Sequence, residues 1–184
     1  MCDSQDRENE GDLIVAAQHV TTQQMAFIIR HTSGIVCVPL GSAKVAALKL
    51  EPMCAVNTDS HQTAFLVSVD HHDAGTGVSA ANRTMTARAL ADPNTPQTML
   101  RRPGHVFPLH AMDGGVRERP GHTEAAIDLC KLAGLEEAAV ISEITMDDGC
   151  MAVRDDLFKF SREHKLKIIT IQHLIEHLNI IHSK

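Results

Sequence analysis

A single α/β (α+β) domain, a sheet covered by helices, is the fold class this chain predicts, from three observations. Short apolar runs rich in β-branched residues alternate with amphipathic stretches that begin at capping residues. Gly and Pro punctuate the joints. Hydrophobic residues make up 43% of the 184, enough for a sizeable core. Aromatics are only 3%, with no Trp and no Tyr, so that core is expected to consist of Leu, Ile, Val, Ala and Met.

The elements follow in order. Leu13 to Ala17 is a short apolar strand. Thr22 caps a helix through Ile29, with Met25, Ile28 and Ile29 on one face. Ile35 to Val38 is a buried strand that Pro39 is expected to end. Ser42 to Lys49 has helix composition and Ala64 to Val69 strand composition. Ser79 starts a helix to about Ala91, with Pro93 beyond it. Pro and Gly make Pro103 to Gly121 irregular. Thr123 can cap a helix to Ala133, stopped by Gly134. Ala138 to Thr145 is a buried strand, followed by the turn Asp147-Asp148-Gly149. Asp155 caps a helix to about His164, Lys167 to Thr170 is a strand, and Thr170 caps the last amphipathic helix. Strand order and direction are not legible from this pattern.

The formal net charge is -6, with 17 Lys+Arg against 23 Asp+Glu, so there is no global basic footprint for nucleic acid. The scarcity of aromatics argues against a base-stacking platform. The five cysteines, Cys2, Cys37, Cys54, Cys130 and Cys150, are odd in number and lack C-x-x-C spacing. A disulfide framework is therefore not expected, and a reducing cytoplasm is. No apolar run is long enough to span a bilayer. The start, Met1-Cys2-Asp3-Ser4-Gln5, is too polar for a signal peptide.

Four concentrations of residues can carry chemistry. In Asp6-Arg7-Glu8-Asn9-Glu10-Gly11-Asp12, carboxylates suit a hard cation and Arg7 a phosphate or carboxylate. Taken alone, such a charge run is more often a solvated loop. In Arg119-Pro120-Gly121-His122-Thr123-Glu124-Ala125, a Gly-led turn enters a helix, whose free N–H groups can face an anion. There His122 can ligate a metal or carry protons, or simply sit at the surface of an ordinary helix start. In Arg102-Pro103-Gly104-His105-Val106-Phe107-Pro108-Leu109, a stiff segment holds His105, a pattern more often structural than functional. Glu143, inside an apolar strand, stands at a strand end, forms a structural ion pair, or acts as a general acid or base.

Taken together, these blocks are much more specific. With Arg30-His31-Thr32-Ser33-Gly34-Ile35-Val36-Cys37-Val38-Pro39-Leu40 and Asp147-Asp148-Gly149, they make the chain resemble 3,4-dihydroxy-2-butanone 4-phosphate synthases over nearly its full length. The resemblance implies the mixed sheet covered by helices specific to that family, in one domain over 1–184. It implies that D-ribulose 5-phosphate is converted to L-3,4-dihydroxy-2-butanone 4-phosphate and formate for riboflavin biosynthesis. Glu8 and His122 would hold the Mg²⁺ or Mn²⁺, two ions per site. Arg7, Glu8, Asp12, Arg119, Pro120, Gly121, His122, Thr123 and Glu143 would bind the sugar phosphate, and His105 and Glu143 would be catalytic. The family is homodimeric, with sites near the subunit interface.

Members of the family carry a helix and an apolar strand before the acidic loop, where this chain has only Met1 to Gln5. A monofunctional form with a short N-terminus is expected, without the GTP cyclohydrolase II domain of many relatives. An exposed sheet edge or groove is expected where that strand would lie. Ser142 stands where a Cys is usual, Asn82 for Asp, Met146 for Asn and Val153 for Arg. The alternatives are a non-catalytic interaction protein derived from this enzyme, or a different metal-dependent sugar-phosphate isomerase or aldolase; formate release separates them.

Overall fold

The computed structural model describes residues 1–4 and 6–182; Gln5, Ser183 and Lys184, the last two closing the expected 1–184 domain, lie outside the described residues. Five strands form one sheet: β1 (Asp12–Ala16), β2 (Cys37–Leu40), β3 (Val69–His71), β4 (Leu100–His110) and β5 (Ala139–Glu143). Their order is β1-β5-β2-β4-β3. Only β2 and β4 run parallel among these pairs, so the sheet is mixed, as expected. The helices are α1 (Thr22–His31), α2 (Ser42–Leu48), α3 (Ala80–Ala91), α4 (His122–Leu132), α5 (Arg154–Glu163) and α6 (Ile171–His182).

Alternation along each strand decides what covers each face. Leu13, Val15, Val38, Leu40 and Val140 pack with Met25 and Ile28 of α1 and Ala87 and Leu90 of α3. Their neighbours Ile14, Ala16, Cys37, Ala139 and Ile141 pack with Ala126 and Cys130 of α4 on the other face. Both faces are thus dry, which is why the strands read as continuous apolar runs.

Several expectations need correction. α1 is capped by Thr21, not Thr22: Gln24 N donates to Thr21 Oγ1 (3.2 Å) and Thr21 N to Gln24 Oε1 (2.9 Å), a reciprocal capping box. Pro39 does not end its strand. Phe107 N donates to Val36 O and Ala111 N to Leu40 O, so the even residues of β2 face β4. The missing Pro39 donor therefore falls on the β5 side, where pairing is reduced to Cys37↔Ile141 and a bridge Leu40↔Ala138. Within Ala64 to Val69, only Val69 joins a ladder; Phe65 and Leu66 make isolated bridges. The stretch from Pro103 is not irregular until after His110, because Pro103 and Gly104 sit inside β4 at a break in its register with β3.

Helix starts were also misplaced. Gly121, with no side-chain cap, opens α4 in place of Thr123, while Gly134 takes φ +66° just beyond the helix end as expected. Val153 opens α5, and Asp155 stands in the first turn, near the positive end of the dipole. Lys167 to Thr170 forms no ladder, only a bridge from Thr170 to Cys2, but Thr170 does cap α6, accepting from His173 N (3.1 Å).

The N-terminal end is tied in. Met1 N donates to Asp12 O and Asp12 N to Met1 O, both at 2.9 Å, and Cys2 is buried between Gly11 and Thr170. Beyond Asp12 the edge of β1 is open among the described residues. Gly11 and Ala17 bond to β5, so by alternation Ile14 and Ala16 turn their backbone groups outward. Beside that edge lies an apolar groove of about 470 Å³, lined by residues such as Leu129, Leu135, Leu157, Phe160 and Ile168.

Candidate active site

The acidic loop is knotted by a residue that its composition did not single out. The Asp3 carboxylate, its side chain nearly fully buried, accepts from Glu8 N (3.1 Å), Glu10 N (3.0 Å) and Arg7 Nη1 (3.0 Å). Arg7 Nη1 also donates to Glu8 Oε2 (2.6 Å). The loop then delivers Asp12, buried, to the start of β1. It is not the solvated run that its charge alone suggests.

α4 brings His122 in from the other side. Its Nδ1 lies 3.7 Å from Glu8 Oε2 and 3.6 Å from Asp12 Oδ1, ion-pair rather than hydrogen-bond distances. This contact with His122 is the main cause holding Glu8 below its usual range. Burial pushes Asp12 up. Burial alone would pull His122 down, but the Asp12 and Glu8 carboxylates outweigh it and the imidazole is raised. His122 Nε2 and Asp12 Oδ1 are buried without a hydrogen-bond partner among the described residues. Ligand atoms of Asp3, Glu8 and His122 fall within 4.8 Å of one another. Two carboxylates and one imidazole, whose Nε2 is orphaned, fit a divalent cation.

A polar cavity of about 220 Å³ opens over this cluster. It gathers Arg7, Glu8, Asp12, Arg119, His122, Thr123 and Glu143, seven of the expected site residues. Cys37 forms part of its wall, and burial pushes that thiol above its usual range. Glu143 stands at the end of β5 and accepts from Ser33 Oγ (2.9 Å), a strand-end position that leaves its carboxylate facing the cavity. The larger groove beside β1 has few convergent polar groups and is not the site. Of the departures, Ser142 is satisfied by Thr32 Oγ1 (2.8 Å) and Ile35 O (3.0 Å).

Arg119 is held more tightly than a free phosphate handle. It donates through Nη1 to buried Glu124 (2.6 Å), through Nη2 to Thr63 Oγ1 (3.2 Å), and through Nε and Nη2 to His61 O. A Cβ on Gly121 would lie 2.4 Å from Arg119 Nη1, so only glycine lets the pair pass. Pro120 and Gly121 support this turn without lining the cavity. His61, which also lines the cavity, sits 3.6 Å from Glu8. Sequence reasoning missed Asp3, His61 and Glu124; Glu124 stood in a quoted motif, whereas nothing marked His61.

His105 is not brought to this cavity. It lies in β4 with its side chain half exposed, its Nδ1 2.8 Å from Asp70 Oδ2.

Residues 1–177 match the sequence model of the 3,4-dihydroxy-2-butanone 4-phosphate synthase family. The riboflavin biosynthesis protein RibBA of Mycobacterium avium is 54% identical over 177 residues, 95% of this chain and 42% of its own length. That of Bacillus cytotoxicus is 49% identical over 175 residues, 95% of this chain and 44% of its own. This chain thus spans less than half the length of these curated relatives. Among solved structures, a 3,4-dihydroxy-2-butanone 4-phosphate synthase in complex with two magnesium ions superposes with TM-score 0.94 at 45% identity, covering 100% of this chain and 91% of that one. The Candida albicans synthase superposes with TM-score 0.89 at 45% identity, covering 96% and 88%.

Proposed function

The chain belongs to the 3,4-dihydroxy-2-butanone 4-phosphate synthase family, and from that premise we propose that it converts D-ribulose 5-phosphate to L-3,4-dihydroxy-2-butanone 4-phosphate and formate. The observation that carries this reading is the convergence of Arg7, Glu8, Asp12, Arg119, His122, Thr123 and Glu143 on one cavity.

The cavity divides the substrate's needs between its walls. The start of α4, with no side-chain cap on its first turn, offers N–H donors and positive potential to the phosphate beside Arg119 and Thr123. Arg7, already braced by Asp3, holds the substrate end near the acidic loop. Glu8 and His122 would hold two Mg²⁺ ions, or Mn²⁺ given the imidazole ligand. When bound, such cations polarise the substrate's carbonyl and hydroxyl oxygens for enolisation and skeletal rearrangement. Asp12 accepts or returns a proton from a buried position whose burial pushes its carboxyl above the usual range. Glu143 moves a second proton from the opposite side, at the end of β5.

His105 has its place in a homodimer. Half exposed and outside the cavity of its own subunit, it is presented to the site of a second copy, where it serves as a further proton-transfer group. A cytoplasmic setting suits five free cysteines, two of them exposed; no helix among the described residues is long and apolar enough to cross a membrane.

The test is incubation with ribulose 5-phosphate and Mg²⁺ with formate as readout. Formate should appear, and Glu143→Gln should lose roughly two orders of magnitude in rate with its fold intact. Absence of formate from the intact chain would defeat the reading.

A further inference from the structure

We propose that Asp70 is a positioning residue that fixes the tautomer and aim of His105; this rests on the reading of His105 as a proton-transfer group. β4 does not run evenly past β3. Val69 pairs with Val106 but Asp70 with Arg101, so Arg102 to His105 fall outside the register as a bulge. Bulges re-aim side chains and leave backbone donors unpaired. Here side chains of the facing segment take those donors: Gly104 N donates to Ser68 Oγ (3.2 Å) and His105 N to Asp70 Oδ1 (2.9 Å). The bulge is pressed close, because a Cβ on Gly104 would lie 2.0 Å from the Val69 carbonyl carbon.

The second Asp70 oxygen meets the His105 ring, 2.8 Å from Nδ1. One carboxylate thus grips both the backbone and the imidazole of the same residue. The grip is rigid at one end and open at the other: Asp70 is 4% exposed, the His105 side chain 49%. Arg83, which donates to the carbonyls of Val78 and Gly34, is near enough to Asp70 for the two charges to favour each other.

A carboxylate only accepts, so Nδ1 carries the proton. Nε2, on the far side of the ring, keeps its lone pair and has no hydrogen-bond partner among the described residues. That is the tautomer a proton acceptor needs, and it is the arrangement in which a partner on one ring nitrogen decides the role of the other. Asp70 does not line the cavity and acts only through His105.

The experiment is ¹⁵N-edited spectroscopy of the imidazoles in the full chain, with the His105 signal identified by its loss in His105→Gln. Wild type should show the Nδ1–H tautomer. Asp70→Asn, whose amide can donate to Nδ1, should shift His105 to Nε2–H. Turnover of ribulose 5-phosphate should then fall about 10- to 100-fold, with the Michaelis constant within about twofold of wild type. An Nε2–H tautomer in wild type overturns the proposal without any variant having to fold. Wild-type turnover in Asp70→Asn overturns it as well. Full turnover in His105→Gln removes the reading beneath it, and the positioning role falls with it.

Discussion

Arg119 and Glu124 form a buried ion pair, Nη1 to Oε2 at 2.6 Å, across the turn that opens α4. It places the guanidinium at the cavity wall but occupies part of its donor fork, so under the proposed function Arg119 would be both clasp and anion contact. Removing one partner of such a pair leaves a charge uncompensated and costs about 3–5 kcal/mol. Glu124→Ala should show that loss in denaturant unfolding. Arg119→Ala should in addition raise the Michaelis constant for the sugar phosphate, and inorganic phosphate should compete with substrate in the wild type. An Arg119→Ala protein that loses stability but keeps its Michaelis constant would make Arg119 a clasp alone.

The cation cluster makes a second prediction. With His122 Nε2 buried and unpartnered, Mn²⁺ should bind the chain without substrate, as titration calorimetry reads directly. Glu8→Gln and His122→Ala should each weaken binding by more than the roughly 10-fold that losing an outer-sphere partner costs. Unchanged affinity in both variants would place the cation elsewhere.

One histidine outside the site carries a pH dependence of stability. His31 of α1 and His164, just past α5, face each other at 4.9 Å between Phe27 and Phe160. Burial, then His164 and Arg30, hold His31 below the usual imidazole range, against smaller opposing effects of Asp147 and Glu163. The unfolded chain therefore takes up a proton that the folded chain resists. This contribution is complete above the unfolded value of about 6.5 and is lost as pH falls below it toward the lowered folded value. His31→Gln should be less stable than wild type at pH 7.5 and lose less Tm on acidification to pH 5.5. Equal losses in both proteins would show that His31 does not titrate in this way.

The open edge of β1 gives a fourth prediction. The Met1–Asp12 pairing is antiparallel, so an extended segment placed ahead of Met1 would run along Ile14 and Ala16, beside the apolar groove. The Met1 amine is buried, which holds it below the usual amino-terminal range, and a peptide bond there removes that buried charge. Fusing a helix and apolar strand of the family kind should raise Tm. Cation affinity should rise less, because Asp3 already braces the loop from the near side. Equal Tm with and without the fused segment would show that the groove accepts no strand.

Sheet and helix content were legible because both faces of the sheet are buried, so apolar runs survive even where Pro39 interrupts one ladder. β4 was half lost because Pro103 and Gly104 punctuate it, and a bulge that aims a side chain has the same local signature as a loop. Of the site, residues bearing charge in family blocks were legible, while those that brace them were not. Asp3 acts through backbone donors five and seven residues on, and Asp70 through a strand that follows it by some thirty residues. Neither distance leaves a local pattern. His105 is singled out by its motif, but its separation from the cavity could emerge only once β4 was folded.

The loss of the fourth carbon tests the central claim most directly. Ribulose 5-phosphate labelled with ¹³C at carbon 4 should be incubated with the chain and Mg²⁺, with the products followed by NMR. The expected result is label in formate, in equal amount with an unlabelled four-carbon phosphate, and no release in Glu8→Gln. Label retained in the phosphorylated product, or consumption of substrate without formate, would contradict the synthase reading.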